Sequence, residues 1–385
     1  MKVFSCQNCQ HLLYFENSLC ISCQHTVGYD PIQGSMVTLE KVEGLPKPAE
    51  VPVPEQAIQR AAPIFADMSS KILYKFCQNS EFGTCNWLIP IDQPATFCLA
   101  CELNRIIPPL ADPQMLPKWK RIEVAKHRLV YSLLRLQLPV SPKGEKGDGG
   151  IAFDFMADLA GQERVMTGHD NGVITLNIEE ADEQERVRNK LDLGEKYRTL
   201  LGHFRHEIGH YYWDQLISDN PSIEGFRLLF GDERKDYGES LQSYYQSGAP
   251  EDWANNFISP YASAHPWEDW AETWAHYMHL MDTLETAYSF GIGIHPVKTD
   301  ELDADMRKDP YSIKDFHRII ELWLPLTFAV NSLNRSMGHA DFYPFVISPV
   351  VIQKLRFIHE RINTRAAPAR GNRPDKLIQE IVKSS

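Results

Sequence analysis

The sequence predicts an α+β chain: a mainly helical main domain with a small sheet, preceded by small four-cysteine modules. Three observations carry this. All eight cysteines fall before residue 102, in two sets of four. From about residue 196 onward, apolar residues recur mostly at helical spacing. Between these regions, Val173-Ile-Thr-Leu-Asn-Ile178 is rich in strong β-formers and follows the turn residues Asp170-Asn171-Gly172. With 385 residues there is room for two or three domains and a sizeable core, and 43% hydrophobic and 23% charged residues are ordinary for a globular protein.

Taken in order, residues 1–45 read as a zinc ribbon. Cys6-x2-Cys9 and Cys20-x2-Cys23 form two knuckles, each offering a pair of thiolates to one tetrahedral zinc. Residues 46–69 read as a proline-rich linker or extended strap, from the run Leu45-Pro-Lys-Pro-Ala-Glu-Val-Pro-Val-Pro54. Residues 70–112 hold a second four-cysteine zinc module. Cys98-x2-Cys101 is a good knuckle, whereas the spacing of Cys77 and Cys85 is unusual. Disulfides are the alternative, and they need an oxidising compartment. Met1-Lys-Val-Phe-Ser-Cys6 lacks the apolar core of a secretory signal, so a reduced, cytoplasmic, zinc-loaded protein is expected. Two complete sets of four also favour structural metal over a redox-active Cys-x-x-Cys.

The main domain is expected over 113–365. Trp119 to Leu138 has the apolar spacing of a helix (Ile122, Leu129, Leu133, Leu136), ended by Pro139. Ser141 to Gly150 is a loop, and Ile151 to Phe155 a strand. Glu179 to Lys190 is a charged connector or helix, and the next helix is expected to start near Lys196. Asp309-Pro310 to Asn331 contains a long apolar helix. Ser348 to Ile362 is a last helix with Ser348 as N-cap and Pro349 in the first turn. Residues 366–385 form a basic C-terminal tail, read as a mobile surface segment.

The chemistry concentrates at His206-Glu207-Ile208-Gly209-His210. On a helix, positions four apart share a face, so His206 and His210 can bind one zinc while Glu207 acts as a base on zinc-bound water. Gly209 is a poor helix former, but a small residue there lets another element approach closely. A catalytic zinc needs a third protein ligand. Within His265-Pro-Trp-Glu-Asp-Trp-Ala-Glu-Thr-Trp-Ala-His-Tyr-Met-His279, the residues Glu268, Glu272, His276 and His279 share one helical face. Glu268 is the expected ligand, with Glu272 behind it orienting a zinc histidine. The swapped roles remain open. His276 and His279 read as polar lining rather than ligands.

This pattern resembles the putative zinc-binding metallopeptidases that carry an N-terminal zinc ribbon. The resemblance rests on the cysteines, Cys85-Asn-Trp-Leu88, Gly168-His-Asp-Asn-Gly-Val-Ile-Thr-Leu-Asn177, the His206–His210 core and Glu268-Asp-Trp-Ala-Glu272. It implies a zincin-like metallopeptidase domain. The centre is also similar to that of lethal-factor-type zinc proteases, in which a Glu-x-x-x-Glu helix gives the third ligand from its first Glu. A tyrosine seven residues earlier stabilises the oxyanion there, and that position here is Tyr261.

The mechanism that follows has zinc on His206, His210 and Glu268 acidifying a bound water. Glu207 takes its proton, and Tyr261 shares the charge on the carbonyl oxygen. Peptide substrates would pair with an edge strand, expected at Val173, Ile174, Thr175, Leu176 and Asn177. The expected cofactors are one catalytic and two structural zinc ions. The expected partner is a peptide or protein substrate. The net charge of −12 argues against a general nucleic-acid or acidic-membrane surface, and no apolar stretch is long enough to span a membrane. Two rivals stand beside this reading: a catalytically silent zinc-ribbon interaction protein that binds peptides, and a zinc hydrolase of non-peptide amides.

Overall fold

A computed structural model describes residues 1–42, 63–144, 149–158, 161, 165–182, 199–218 and 222–365. The proline-rich run, most of the charged connector, the helix start expected near Lys196 and the tail 366–385 lie outside the described residues. The fold is α+β, with seven α-helices among the described residues.

In the ribbon, β1 (Phe4–Ser5) and β2 (Leu12–Leu13) pair antiparallel, and the turn between them carries Cys6 and Cys9. The Gln10 amide donates to the Cys6 carbonyl at 2.9 Å, and the Gln24 amide does the same to Cys20 at 2.9 Å. Gln10 and Gln24 both take φ of 60°, so the two knuckles are the same turn made twice.

A five-stranded antiparallel sheet follows: β3 (Thr26–Asp30), β4 (Ser35–Lys41), β5 (Phe65–Asp67), β6 (Leu73–Phe76) and β7 (Leu88–Pro90), in that spatial order. It corrects the expected division into 1–45, a linker 46–69 and 70–112. Strands from both cysteine modules share this sheet, and the end of the expected linker supplies its middle strand. Three residues are too few to show an alternating pattern, and the prolines upstream dominate the composition. The Asn86 side chain ties the modules further, donating to the carbonyls of Phe15 (2.7 Å) and Asn17 (2.9 Å).

The second sheet contains β8 (Asn104–Ile106), β9 (Ala152–Met156), β10 (Gly168–Asp170) and β11 (Val173–Asn177), ordered β10-β11-β9-β8. β9 runs parallel to both β8 and β11, while β10 and β11 form a hairpin. Its two turn residues, Asn171 and Gly172, have φ of 45° and 80°, as a two-residue hairpin turn requires. A Cβ on Gly172 would lie 2.3 Å from the Gly150 carbonyl oxygen. The hairpin also overturns one expectation. Val173 to Asn177 is not an edge strand, because β9 and β10 flank it on both sides, and Ile174 and Leu176 are fully buried. Among the described residues the edges of this sheet are β10 and β8.

Helix α1 (Met115–Arg135) leans on the ribbon. Tyr131 meets Phe15 and Tyr29 at ring distances of 5.3 and 6.1 Å, and Arg128 pairs with Glu16 at 2.7 Å. Helix α2 (Leu200–Trp213) begins after Thr199, whose hydroxyl accepts the Gly202 amide at 3.0 Å. Helices α3 (Ile223–Phe230) and α4 (Tyr237–Ser247) follow, and α4 buries none of its residues. Helix α5 (Pro266–Ser289) opens with Pro266 in its first turn and the His265 ring capping the Trp267 amide at 3.1 Å. It is buried along most of its length and packs on α2 at Gly209, where an added Cβ would lie 3.1 Å from Ala271 Cα. Trp270 Nε1 donates to the Gly209 carbonyl at 2.8 Å.

Helices α6 (Phe316–Ser336) and α7 (Pro349–Arg365) complete the domain. α6 lies in the stretch where an apolar helix is expected and runs on to Ser336; Pro310–Ser312 forms a separate short turn before it, and Asp315 caps the helix. The Ser348 hydroxyl accepts the Val351 amide at 3.2 Å, capping α7.

Candidate metal centre

The crossing of α2 and α5 brings His206, His210 and Glu268 together, with one ligand atom from each lying within 4.8 Å of the others. His206 Nε2 is 3.0 Å from Glu268 Oε2, and His210 Nε2 is 3.6 Å from Glu268 Oε1. Nitrogen and oxygen ligands on one tetrahedral zinc stand about 3.3 Å apart, and these distances bracket that value. Glu268 Oε2 is buried with no aligned hydrogen-bond donor among the described residues. An orphaned carboxylate oxygen between two imidazoles fits a cation.

Charge points the same way. Burial pushes the His210 pKa down to about 3, so its ring is neutral and its lone pair free to bind. Burial works against ionisation of Glu268, but His210 and His206 prevail and hold it at about 2. Burial also opposes charge on His206, yet the Glu268 and Glu272 carboxylates beside it push its pKa well above the usual range. Two carboxylates about one ring make an excess of negative charge that a metal ion would balance.

Glu272 stands outside this trio. Its Oε1 is 2.7 Å from His206 Nδ1, and Ser259 donates to its Oε2 at 2.6 Å. It therefore faces the ring nitrogen turned away from Glu268. Tyr237, at the start of α4, donates to Glu268 Oε1 at 2.7 Å. Glu207 is half-buried beside His206, and burial raises its pKa above the usual carboxylate value. The Tyr261 ring lies 6.1 Å from His206, and burial, followed by the nearby Glu268, keeps its hydroxyl from ionising. The Trp267 ring packs on His210 at 4.1 Å. His169, on the edge strand β10, stacks on His210 at 6.0 Å and accepts the Gly172 amide at 2.8 Å. His276 and His279 bond elsewhere, to Tyr343 at 2.8 Å and Arg205 at 2.5 Å.

Sequence reasoning missed Tyr237, Ser259, Trp267 and His169 as neighbours of the centre. Tyr237 and Ser259 come from segments with no periodic link to the histidines. His169 lay in a run already singled out, and its place next to the Asn171-Gly172 turn was the available signal.

The cysteines form two further groups, each with its four sulfurs within 4.8 Å of one another. The pairs Cys6–Cys23 and Cys9–Cys20 lie at 3.6 Å, and Cys85–Cys98 at 3.7 Å. Sulfurs on one tetrahedral zinc stand about 3.8 Å apart. None of the eight is in a disulfide, and both sets have the chemistry of a structural zinc site.

Comparison with known proteins agrees with this layout. A family model described as a putative zinc-binding metallopeptidase matches residues 115–361, and a zinc-ribbon domain model matches 3–112. An uncharacterized protein of Mycobacterium bovis is 39% identical over 360 residues, covering 93% of this chain and 94% of its own. Uncharacterized proteins from two strains of Mycobacterium tuberculosis match to the same 39% and the same extent. No solved structure matches the chain. No helix among the described residues is long and apolar enough to cross a membrane.

Proposed function

The chain belongs to the family of putative zinc-binding metallopeptidases with an N-terminal zinc ribbon, and from that premise we propose that it hydrolyses peptide bonds at the His206, His210 and Glu268 centre. The observation that carries this is the donor set: two imidazoles and a carboxylate with an orphaned oxygen, on two packed helices. Zinc held there would polarise the scissile carbonyl and acidify the attacking water. Three protein ligands suit a catalytic rather than a structural zinc.

The chain's own residues divide the remaining work. Glu207, half-buried with a raised pKa, takes a proton from the attacking water and passes it to the leaving amine. Tyr261 keeps its hydroxyl proton and donates a hydrogen bond to the oxyanion. Glu272, held by Ser259, fixes the His206 ring through Nδ1. The peptide substrate adds to the free edge of β10 at Gly168–Asp170. The full complement is three zinc ions, one at this centre and one in each cysteine group. The unpaired cysteines support a reducing, cytoplasmic setting.

The test is to digest a peptide library with the zinc-loaded chain and read the products by mass spectrometry. Glu207→Gln is expected to keep its zinc and lose cleavage. Equal cleavage by Glu207→Gln would overturn the mechanism. A loaded wild type that binds peptides and cleaves none would favour the silent interaction protein instead.

A further inference from the structure

Lys354 lies on α7, far in sequence from the residues at the metal centre, and is only 2% exposed. Its ammonium joins three elements. Nζ donates to Asp269 Oδ2 at 2.6 Å and to the Asn256 carbonyl oxygen at 2.6 Å. It also stands over the Phe257 ring at 4.4 Å and the Phe230 ring at 5.5 Å. Asp269 follows Glu268 in the first turn of α5 and is fully buried. Its other oxygen, Oδ1, accepts from the Thr273 hydroxyl at 3.4 Å. Asn256 and Phe257 open the segment that leads to Ser259 and Tyr261.

Burying an ammonium is unfavourable unless its hydrogens are met. Here two hydrogen bonds and the face of Phe257 meet them. An apolar pair of similar volume is often as stable as a buried ion pair, so stability alone gives no reason for a lysine. An apolar side chain could not hold the Asn256 carbonyl, because a carbonyl oxygen is gripped only by a donor. What the lysine adds is a link between the loop and the helix. Both lead to the centre. Ser259 donates to Glu272 Oε2 at 2.6 Å and accepts the Ala262 amide at 3.2 Å, and the Tyr261 ring lies 6.1 Å from His206. Glu268, next to Asp269, supplies the candidate carboxylate ligand.

We infer that Lys354 is a positioning residue of the metal centre. By holding the Asn256 carbonyl and the Asp269 carboxylate on one ammonium, it sets the segment that bears Ser259 and Tyr261 against the turn of α5 that bears Glu268. Its hydrogen bonds among the described residues go to Asn256 and Asp269, not to His206, His210 or Glu268, so it acts through the loop. A loop freed from Lys354 lets the Tyr261 hydroxyl drift from the place where the oxyanion forms. A misplacement of about 1 Å costs up to about 100-fold in rate. The effect on turnover rests on the peptidase reading above; the link between loop and helix does not.

The test uses the full-length zinc-loaded chain. Lys354→Met alone leaves the Asp269 carboxylate buried without its partner, so the working variant is Lys354→Met with Asp269→Asn, which removes both charges. Its kcat for peptide cleavage should fall about 10–100-fold, with KM and zinc content unchanged. In a Tyr261→Phe background the same two changes should cost less than about 2-fold, because the group they act through is already gone. Hydrogen exchange should rise over residues 256–263 and stay as in wild type over Leu200–Trp213. An equal fold loss in both backgrounds would overturn the proposal. So would exchange that rises equally throughout α5 and α7, the mark of a plain stability role. If the wild type cleaves no peptide, the peptidase reading fails and the exchange pattern alone decides the positioning. If the double variant does not fold, Lys354→Gln with Asp269→Asn, which keeps an amide donor, is measured in the same two backgrounds and judged by the same outcomes.

Discussion

The two kinds of candidate metal centre in this chain are built on opposite plans. The first cysteine group is local: both knuckles are the same turn, with Gln10 and Gln24 in the same left-handed conformation and four sulfurs closing the shell. The His206 centre is assembled at a distance. The two candidate histidine ligands come from α2 and the candidate carboxylate from α5, and partners arrive from α4, β10 and the segment before α5. A closed shell of thiolates leaves a metal nothing to do but hold structure. A three-donor set with a base and a hydroxyl beside it leaves room for chemistry.

The sharpest way to break this contrast is at Glu207. Glu207→Gln is expected to lower turnover by about 10²–10⁴-fold and leave the zinc content unchanged by elemental analysis. A cysteine-site change that leaves the peptidase domain folded should lose a metal and keep the chemistry. The raised Glu207 pKa sets a pH sign as well. Below that pKa the carboxyl is protonated and cannot accept a proton. The kcat/KM profile should therefore fall as pH drops through a value above the ordinary carboxylate range, and Glu207→Gln should remove that limb.

Next comes Tyr261. Its Phe variant should lower kcat by about 10²–10³-fold with KM little changed, the cost of one oxyanion donor. Glu272→Gln should weaken zinc at this centre alone by about 10–100-fold, measured by competition with a chelating dye. The smallest effect is at Gly209. Overpacking against Ala271 and Trp274 costs about 1–3 kcal/mol, and alanine returns about 1 kcal/mol in helix propensity. Gly209→Ala should thus show a net loss of up to about 2 kcal/mol in chemical denaturation.

The same contrast explains what the sequence could disclose. Cys6-x2-Cys9 and Cys20-x2-Cys23 were legible because each knuckle is a short turn whose spacing is its geometry. His206 and His210 were legible because they share one helical turn. Glu268 needed one further step, a row of ionisable residues at helical spacing beside Trp270 and Trp274. Tyr237 and Ser259 were not legible, because each reaches its carboxylate from another segment and no periodicity links them. The edge of the sheet was misread because the hairpin turn at Asn171-Gly172 sends β10 back along β11 and covers the longer, more apolar strand. The five-stranded sheet escaped because its central strand is three residues long.

The central claim is that one of three metal sites is open and catalytic while the other two are closed. It is tested most directly by metal content and peptide cleavage measured together on wild type, Glu207→Gln and His206→Ala. The account predicts three zinc ions and cleavage for wild type. It predicts three and no cleavage for Glu207→Gln, and two with no cleavage for His206→Ala. Full cleavage by His206→Ala, or no change in its zinc content, would contradict it.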